Sequence, residues 1–130
     1  MNIVEYLSSL PKMRNTGKVS ELEVTLAENE LGLSFSTEYR EILKNLGAVR
    51  VCGHEINGFT KSPSLNVIEM TKSARQNEKI PHDMYVFECL GIDDIMMLQN
   101  SKGEVYECMG SHITLIADSI LTYLQNSIKQ

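Results

Sequence analysis

The stretch from Met84 to Cys108, MYVFECLGIDDIMMLQNSKGEVYEC, decides the fold. It divides into three short runs, Met84–Leu90, Ile95–Gln99 and Glu104–Cys108, each rich in β-branched, aromatic or other apolar residues. Such runs bounded by turn residues read as strands. Asn100-Ser101-Lys102-Gly103 between the last two is compatible with a hairpin, and Gly91-Ile92-Asp93-Asp94 reads as the preceding turn. Strict alternation along the first run puts Glu88 on one face with Met84 and Val86, while Met96 and Met97 face opposite ways.

Upstream of this meander the period changes. Asn66 is placed to cap a helix through Val67, Ile68, Met70, Thr71 and Ala74. Before it, Ala48 to Cys52 alternates as a strand, and Glu55-Ile56-Asn57-Gly58-Phe59 joins a turn pair to a second short strand. A helix from Ser36 turns Tyr39, Ile42, Leu43 and Leu46 inward and stops at Gly47. Ser20-Glu21-Leu22-Glu23 spells a capping box, and Leu22, Leu26 and Leu31, with Val24 and Ala27 nearby, form the apolar stripe of the helix it opens. Gly32 ends that helix. Residues 2–10 suit a short helix and Lys12 to Lys18 a loop. After the meander, Ala117 to Ile128 is helical, with Ile120, Leu121, Leu124 and Ile128 on one side. Strands grouped between helices predict one α+β domain over residues 1–130, a mostly antiparallel sheet of about five strands packed with four to five helices.

Composition removes several function classes. Of 130 residues 42% are hydrophobic and 22% charged, which fits a globular domain rather than a disordered tail. Twelve bases against seventeen acids give a net charge of −5, so the basic footprint of a nucleic-acid binder is absent. The start of the chain lacks the basic and apolar regions of a signal peptide, and no run approaches the length of a membrane span. Cys52, Cys89 and Cys108 are odd in number and lack CxxC spacing, which suits free thiols in a reducing cytoplasm. His54, His82 and His112 stand in no metal-ligand or nucleophile signature, and the glycines build no phosphate loop. Asp93-Asp94 has no companion ligands for a metal. The expectation is a non-enzyme without catalytic residues, metal or cofactor, and without a small-molecule substrate.

The uneven feature is the placement of acids. From Asp83 to Asp118 there are seven, Asp83, Glu88, Asp93, Asp94, Glu104, Glu107 and Asp118, against Lys102 alone. That segment is net −6, more than the whole chain. A solvated sheet face accounts for such a bias, and so does steering toward a basic partner. On the second reading Glu88, Asp93, Asp94, Glu104 and Glu107 are the candidate partner-binding residues, with the helix bearing Glu21, Glu23, Glu28 and Glu30 as the other acidic surface.

The motif order resembles the SUKH superfamily of Smi/Knr-like domains. Ala27-Glu28, Leu31-Gly32, Phe35-Ser36, Tyr39, Leu43 and Gly47 follow the family's acidic helix, Leu-Gly, Leu-Pro, Tyr, Leu and Asn-Gly, with Ser36 at the usual proline and Leu46 at the usual asparagine. Asn66-Val67-Ile68, Thr71 and Arg75, then Ile80-Pro81, are similar to its middle helix. Gly103-Glu104-Val105-Tyr106 and Asp118-Ser119-Ile120 with Tyr123-Leu124 are similar to its hairpin and closing helix. The resemblance runs from about residue 20 to 126. It implies a strongly bent sheet and, for bacterial members, a cytosolic immunity protein that neutralises a toxin, often a nuclease. The implied partner is a toxin with a basic nuclease domain, with no direct contact to nucleic acid or membrane. A regulatory or scaffold module, as in fungal relatives, is the alternative. A hydrolase built on a Cys–His pair is a third reading.

Overall fold

The computed structural model describes residues 1–91 and 94–128. Among the described residues, five α-helices pack with a seven-stranded sheet. The helices are α1 (Ile3–Ser9), α2 (Glu21–Leu31), α3 (Thr37–Asn45), α4 (Val67–Asn77) and α5 (Ile120–Ser127). The strands are β1 (Arg14–Asn15), β2 (Val49–Val51), β3 (His54–Ile56), β4 (Tyr85–Cys89), β5 (Ile95–Gln99), β6 (Val105–Met109) and β7 (His112–Ala117). They lie in chain order and every neighbouring pair is antiparallel. The α+β class holds, but the sheet has seven strands rather than about five. The extra two are the edges. β1 lies in the segment expected to be loop, and β7 extends the three-stranded meander to four. An edge strand pairs on one side only, so its sequence need not carry the buried alternation that marks a central strand.

The helix starts follow local chemistry. Ser20, Ser36, Asn66 and Ser119 each accept a backbone N–H of the helix they precede. The reciprocal capping box forms at Asn2 and Glu5, not at Ser20, whose hydroxyl donates to the Glu23 carboxylate instead. Gly32 closes α2 at φ 67°. Gly58, expected as turn punctuation, does something else. A Cβ there would stand 2.6 Å from the Ala48 backbone nitrogen, so this glycine permits close packing of β2 against the segment after β3.

One sheet face packs Tyr85, Phe87, Met97 and Val105 into a core with α1, α2, α3 and α5. The other packs Val86, Met96, Leu98 and Cys108 against Ala74 of α4 and against Ile80 and Met84. β4 is therefore apolar on both sides, and among the helices α3 matches its expected inward face in full, with Tyr39, Ile42, Leu43 and Leu46 all buried. In α2 the buried residues are Val24, Ala27 and Leu31, while Leu22 and Leu26 are 68% and 56% exposed. The leucines at i and i+4 face outward, and Val24, Ala27 and Leu31 at i, i+3 and i+7 form the face that packs inward.

A buried polar chain ties the helices to the sheet. The Ser36 N–H donates to the Tyr85 hydroxyl (2.9 Å), which donates to Gln99 Oε1 (2.7 Å). Gln99 Nε2 donates to Glu38, whose two carboxylate oxygens accept the N–H groups of Ile120 and Leu121 at the start of α5. Ser36 also caps α3 through its hydroxyl. A proline at this position has no N–H for Tyr85 and no hydroxyl for the cap, which accounts physically for the departure from the family pattern.

Candidate functional site

The five candidate acids do not share one surface. Asp93 lies outside the described residues. Asp94 is exposed at the start of β5. Glu104 and Glu107 are half-buried at opposite parts of β6, the first just before the strand and the second opposite Met97 and Thr114. Glu104 accepts from the Asn100 side-chain amide and from the Tyr106 hydroxyl.

Glu88 is the correction. It is fully buried, so in the folded chain it offers no contact to a partner. The cause is a β-bulge: Val86 pairs with Leu98 but Glu88 pairs with Met97, so Phe87 is the extra residue. The bulge moves Glu88 off the face of Met84 and Val86 and turns it toward α5. There its carboxylate accepts from Tyr123 (2.6 Å), from the Glu55 N–H (3.2 Å) and from His54 Nδ1 (2.7 Å). The other ring nitrogen, Nε2, stands 2.9 Å from the Ser127 hydroxyl oxygen, within hydrogen-bond distance. Burial, then the Glu88 charge, hold the Tyr123 phenol well above its ordinary range, so it remains a donor. Sequence spacing gave no sign of this group, since His54 and Glu88 stand 34 positions apart. The available signal was an acid inside an otherwise apolar run, sharing a face with Met84 and Val86 by alternation.

Ser127, His54 and Glu88 have the connectivity of a nucleophile relay. Its surroundings do not suit acyl transfer. Ser127 is the last residue of α5, where backbone carbonyls and the negative end of the helix dipole oppose a developing oxyanion. Four surface cavities among the described residues have neither His54 nor Ser127 in their linings. What the three side chains do is fasten the end of α5 to β3 and β4. The thiols are placed elsewhere. Cys108 is buried, Cys89 is half-buried with its thiol pushed up to about 11 by burial, and Cys52 is exposed in the turn after β2.

Two acidic surfaces remain, and their charge is handled differently. On α2, Glu21 and Glu28 pair with Arg40, Glu21 also faces Lys44, and Glu30 pairs with Lys72. At the β6–β7 end, Asp83, Glu104, Glu107 and Asp118 pair with no base among the described residues, and neither does Asp94. The Tyr106 phenol registers that field. It is raised by desolvation, then by the nearby Glu104 charge, with a contribution from Asp83. Glu104 and Asp118 line a shallow cavity with Leu115, Ile116 and Ala117.

Among the described residues no helix is long and apolar enough to cross a membrane. A family model described as SMI1-KNR4 cell-wall, of the SUKH_5 group, matches residues 1–129. No curated protein matches the chain.

Proposed function

Because this chain belongs to the SMI1-KNR4 family of the SUKH superfamily, we propose that it is a non-enzymatic immunity protein that binds and neutralises one cognate toxin in the cytoplasm. The observation that carries this reading is the uncompensated acid at the β6–β7 end. A nuclease toxin holds phosphate with Arg and Lys, and carboxylates without an internal ion-pair partner meet such a surface with charge-assisted hydrogen bonds. Complementary fields of this kind raise the association rate and reject wrong partners. The SUKH domain supports a toxin-immunity role, and the nuclease character of the toxin rests on the charge.

The test is affinity purification of the tagged chain from its native host, identification of the co-purifying protein, and co-expression of the two. The expected result is a single basic toxin domain whose growth arrest this chain relieves. Co-purification of several unrelated, non-toxic proteins would replace the immunity reading with a scaffold role.

A further inference from the structure

We propose that the outer edge of β7 is a docking site for an extended cationic segment of the partner, which adds to the sheet as an eighth strand. This deepens the immunity reading and rests on it for the partner's charge.

β7 ends the sheet, and β6 is its one strand partner. Among the described residues no other backbone hydrogen bond reaches His112–Ala117. One row of its N–H and C=O groups therefore faces solvent, a template for pairing with another strand. Proteins usually blunt such an edge with charge, proline, shortness or a bulge. The opposite edge, β1, is blunted by length, having two residues, one of them Arg14. β7 has six residues without charge or proline, and β-branched Ile113, Thr114 and Ile116 favour extended backbone. Its one bulge falls at Ile116, between the Val105–Ala117 and Tyr106–Leu115 pairs, so His112 to Leu115 stay in regular register.

Two apolar side chains of this edge are uncovered. Leu115 is 55% exposed and Ile116 41%. α4 covers the face of Leu115 farther in, over Val86, Met96, Leu98 and Cys108, and leaves Leu115 outside that core. The rim is acidic: Glu104 and Asp118 border Leu115 and Ile116, and neither is neutralised within the described chain. Backbone donors, an apolar centre and a negative rim together fit a strand that alternates apolar residues with Lys or Arg. A second copy fits less well, because its own β7 brings the same acids, and its basic β1 edge is too short for a ladder.

The test has two arms on the full chain. In the first, backbone amide spectra are recorded with a capped hexapeptide of alternating lysine and valine, and with its glutamate counterpart. Saturable shifts along β7 for the lysine peptide alone are expected. No β7 shift, or equal shifts for both peptides, overturns the proposal independently of any toxin. In the second, the co-purified toxin, inactivated in its active site, is titrated into Leu115→Lys, Glu104→Gln/Asp118→Gln and Leu22→Lys variants. Placing a lysine at the apolar edge should weaken binding by about 30-fold or more, and the double Gln variant should lower the association rate and flatten its salt dependence. Leu22→Lys should bind like the wild type. Hydrogen exchange on the wild-type complex checks the site without any substitution, with protection expected at His112–Leu115. Tight toxin binding with protection on α2 instead overturns the edge but keeps the immunity reading. Concentration-dependent self-association that protects β7 without toxin assigns the edge to a second copy and overturns the proposal.

Discussion

On α2, Glu21 and Glu28 meet Arg40 and Glu30 meets Lys72, whereas at the β6–β7 end Glu104 and Asp118 meet no base among the described residues. The two surfaces look alike in an acid count. α2 also exposes apolar side chains, Leu22 and Leu26, just as β7 exposes Leu115 and Ile116. They differ in what their charge and backbone leave unsatisfied. Glu21, Glu28 and Glu30 are spent on binding α2 to α3 and α4, which leaves Glu23 as the α2 acid without a base among the described residues, and the helix satisfies its own backbone. The β7 end keeps both its charge and a row of hydrogen-bonding groups. Acidity marks a docking surface when nothing inside the molecule has already used it.

A third acid position, Glu88, sharpens the contrast, because it lies in the same strand meander and is wholly internal. Glu88→Ala leaves His54, Tyr123 and the Glu55 N–H without their acceptor. Urea denaturation should show a loss of about 3–5 kcal/mol, because three buried donors each lose a hydrogen bond to the carboxylate. Leu124→Ala on the neighbouring helix calibrates it at about 2–5 kcal/mol. Near-wild-type stability for Glu88→Ala would return that residue to the surface acids.

Breaking the α2 side comes next in size. Arg40→Met removes the partner of Glu28, whose side chain is 13% exposed, and one partner of Glu21. A loss of about 1–3 kcal/mol is expected from the charge-assisted hydrogen bonds alone, in thermal or urea unfolding. The variant also turns α2 into an uncompensated acidic face. If toxin affinity then rises by a second, α2-directed mode, charge rather than the strand edge governs docking.

Glu104→Gln with Asp118→Gln should change stability by no more than about 0.5 kcal/mol, since neither acid holds an ion pair. A large loss in denaturation would mean these carboxylates are structural, as the α2 acids are.

The smallest effect is a titration. The Tyr106 phenol is held up by desolvation and by the adjacent Glu104 charge, both of which disfavour phenolate. Glu104→Gln removes the charge and leaves the desolvation, so Tyr106 should ionise at lower pH than in the wild type while staying above its ordinary value. NMR of labelled tyrosine rings checks the direction. An unchanged titration would mean the field at the β6–β7 end is already screened.

Much of the fold was legible locally. Asn66, Ser36 and Ser20 announce helices because a short polar side chain placed before a periodic run can take an orphan backbone N–H, a matter of three residues. The hairpin between β5 and β6 is announced by Asn100 and Gly103 for the same reason. The site was less legible. Alternation assigned Glu88 to the wrong face because a single bulge reverses parity for every residue after it. The stripe of Leu22 and Leu26 misled because hydrophobicity alone does not say which face of α2 finds room against its neighbours. β7 went unread as a strand because an edge that buries little shows no strong pattern.

By itself, the order of residues determined the class, the sequence of helices and central strands, and the excess of acid near the C-terminal third, since each depends on neighbours within a turn or a strand. Only the tertiary structure decided which acids remain free. Arg40 reaches Glu21 across 19 positions and Lys72 reaches Glu30 across 42, while nothing basic among the described residues reaches Glu104 or Asp118. Charge adds up along a chain, but it is cancelled only through space.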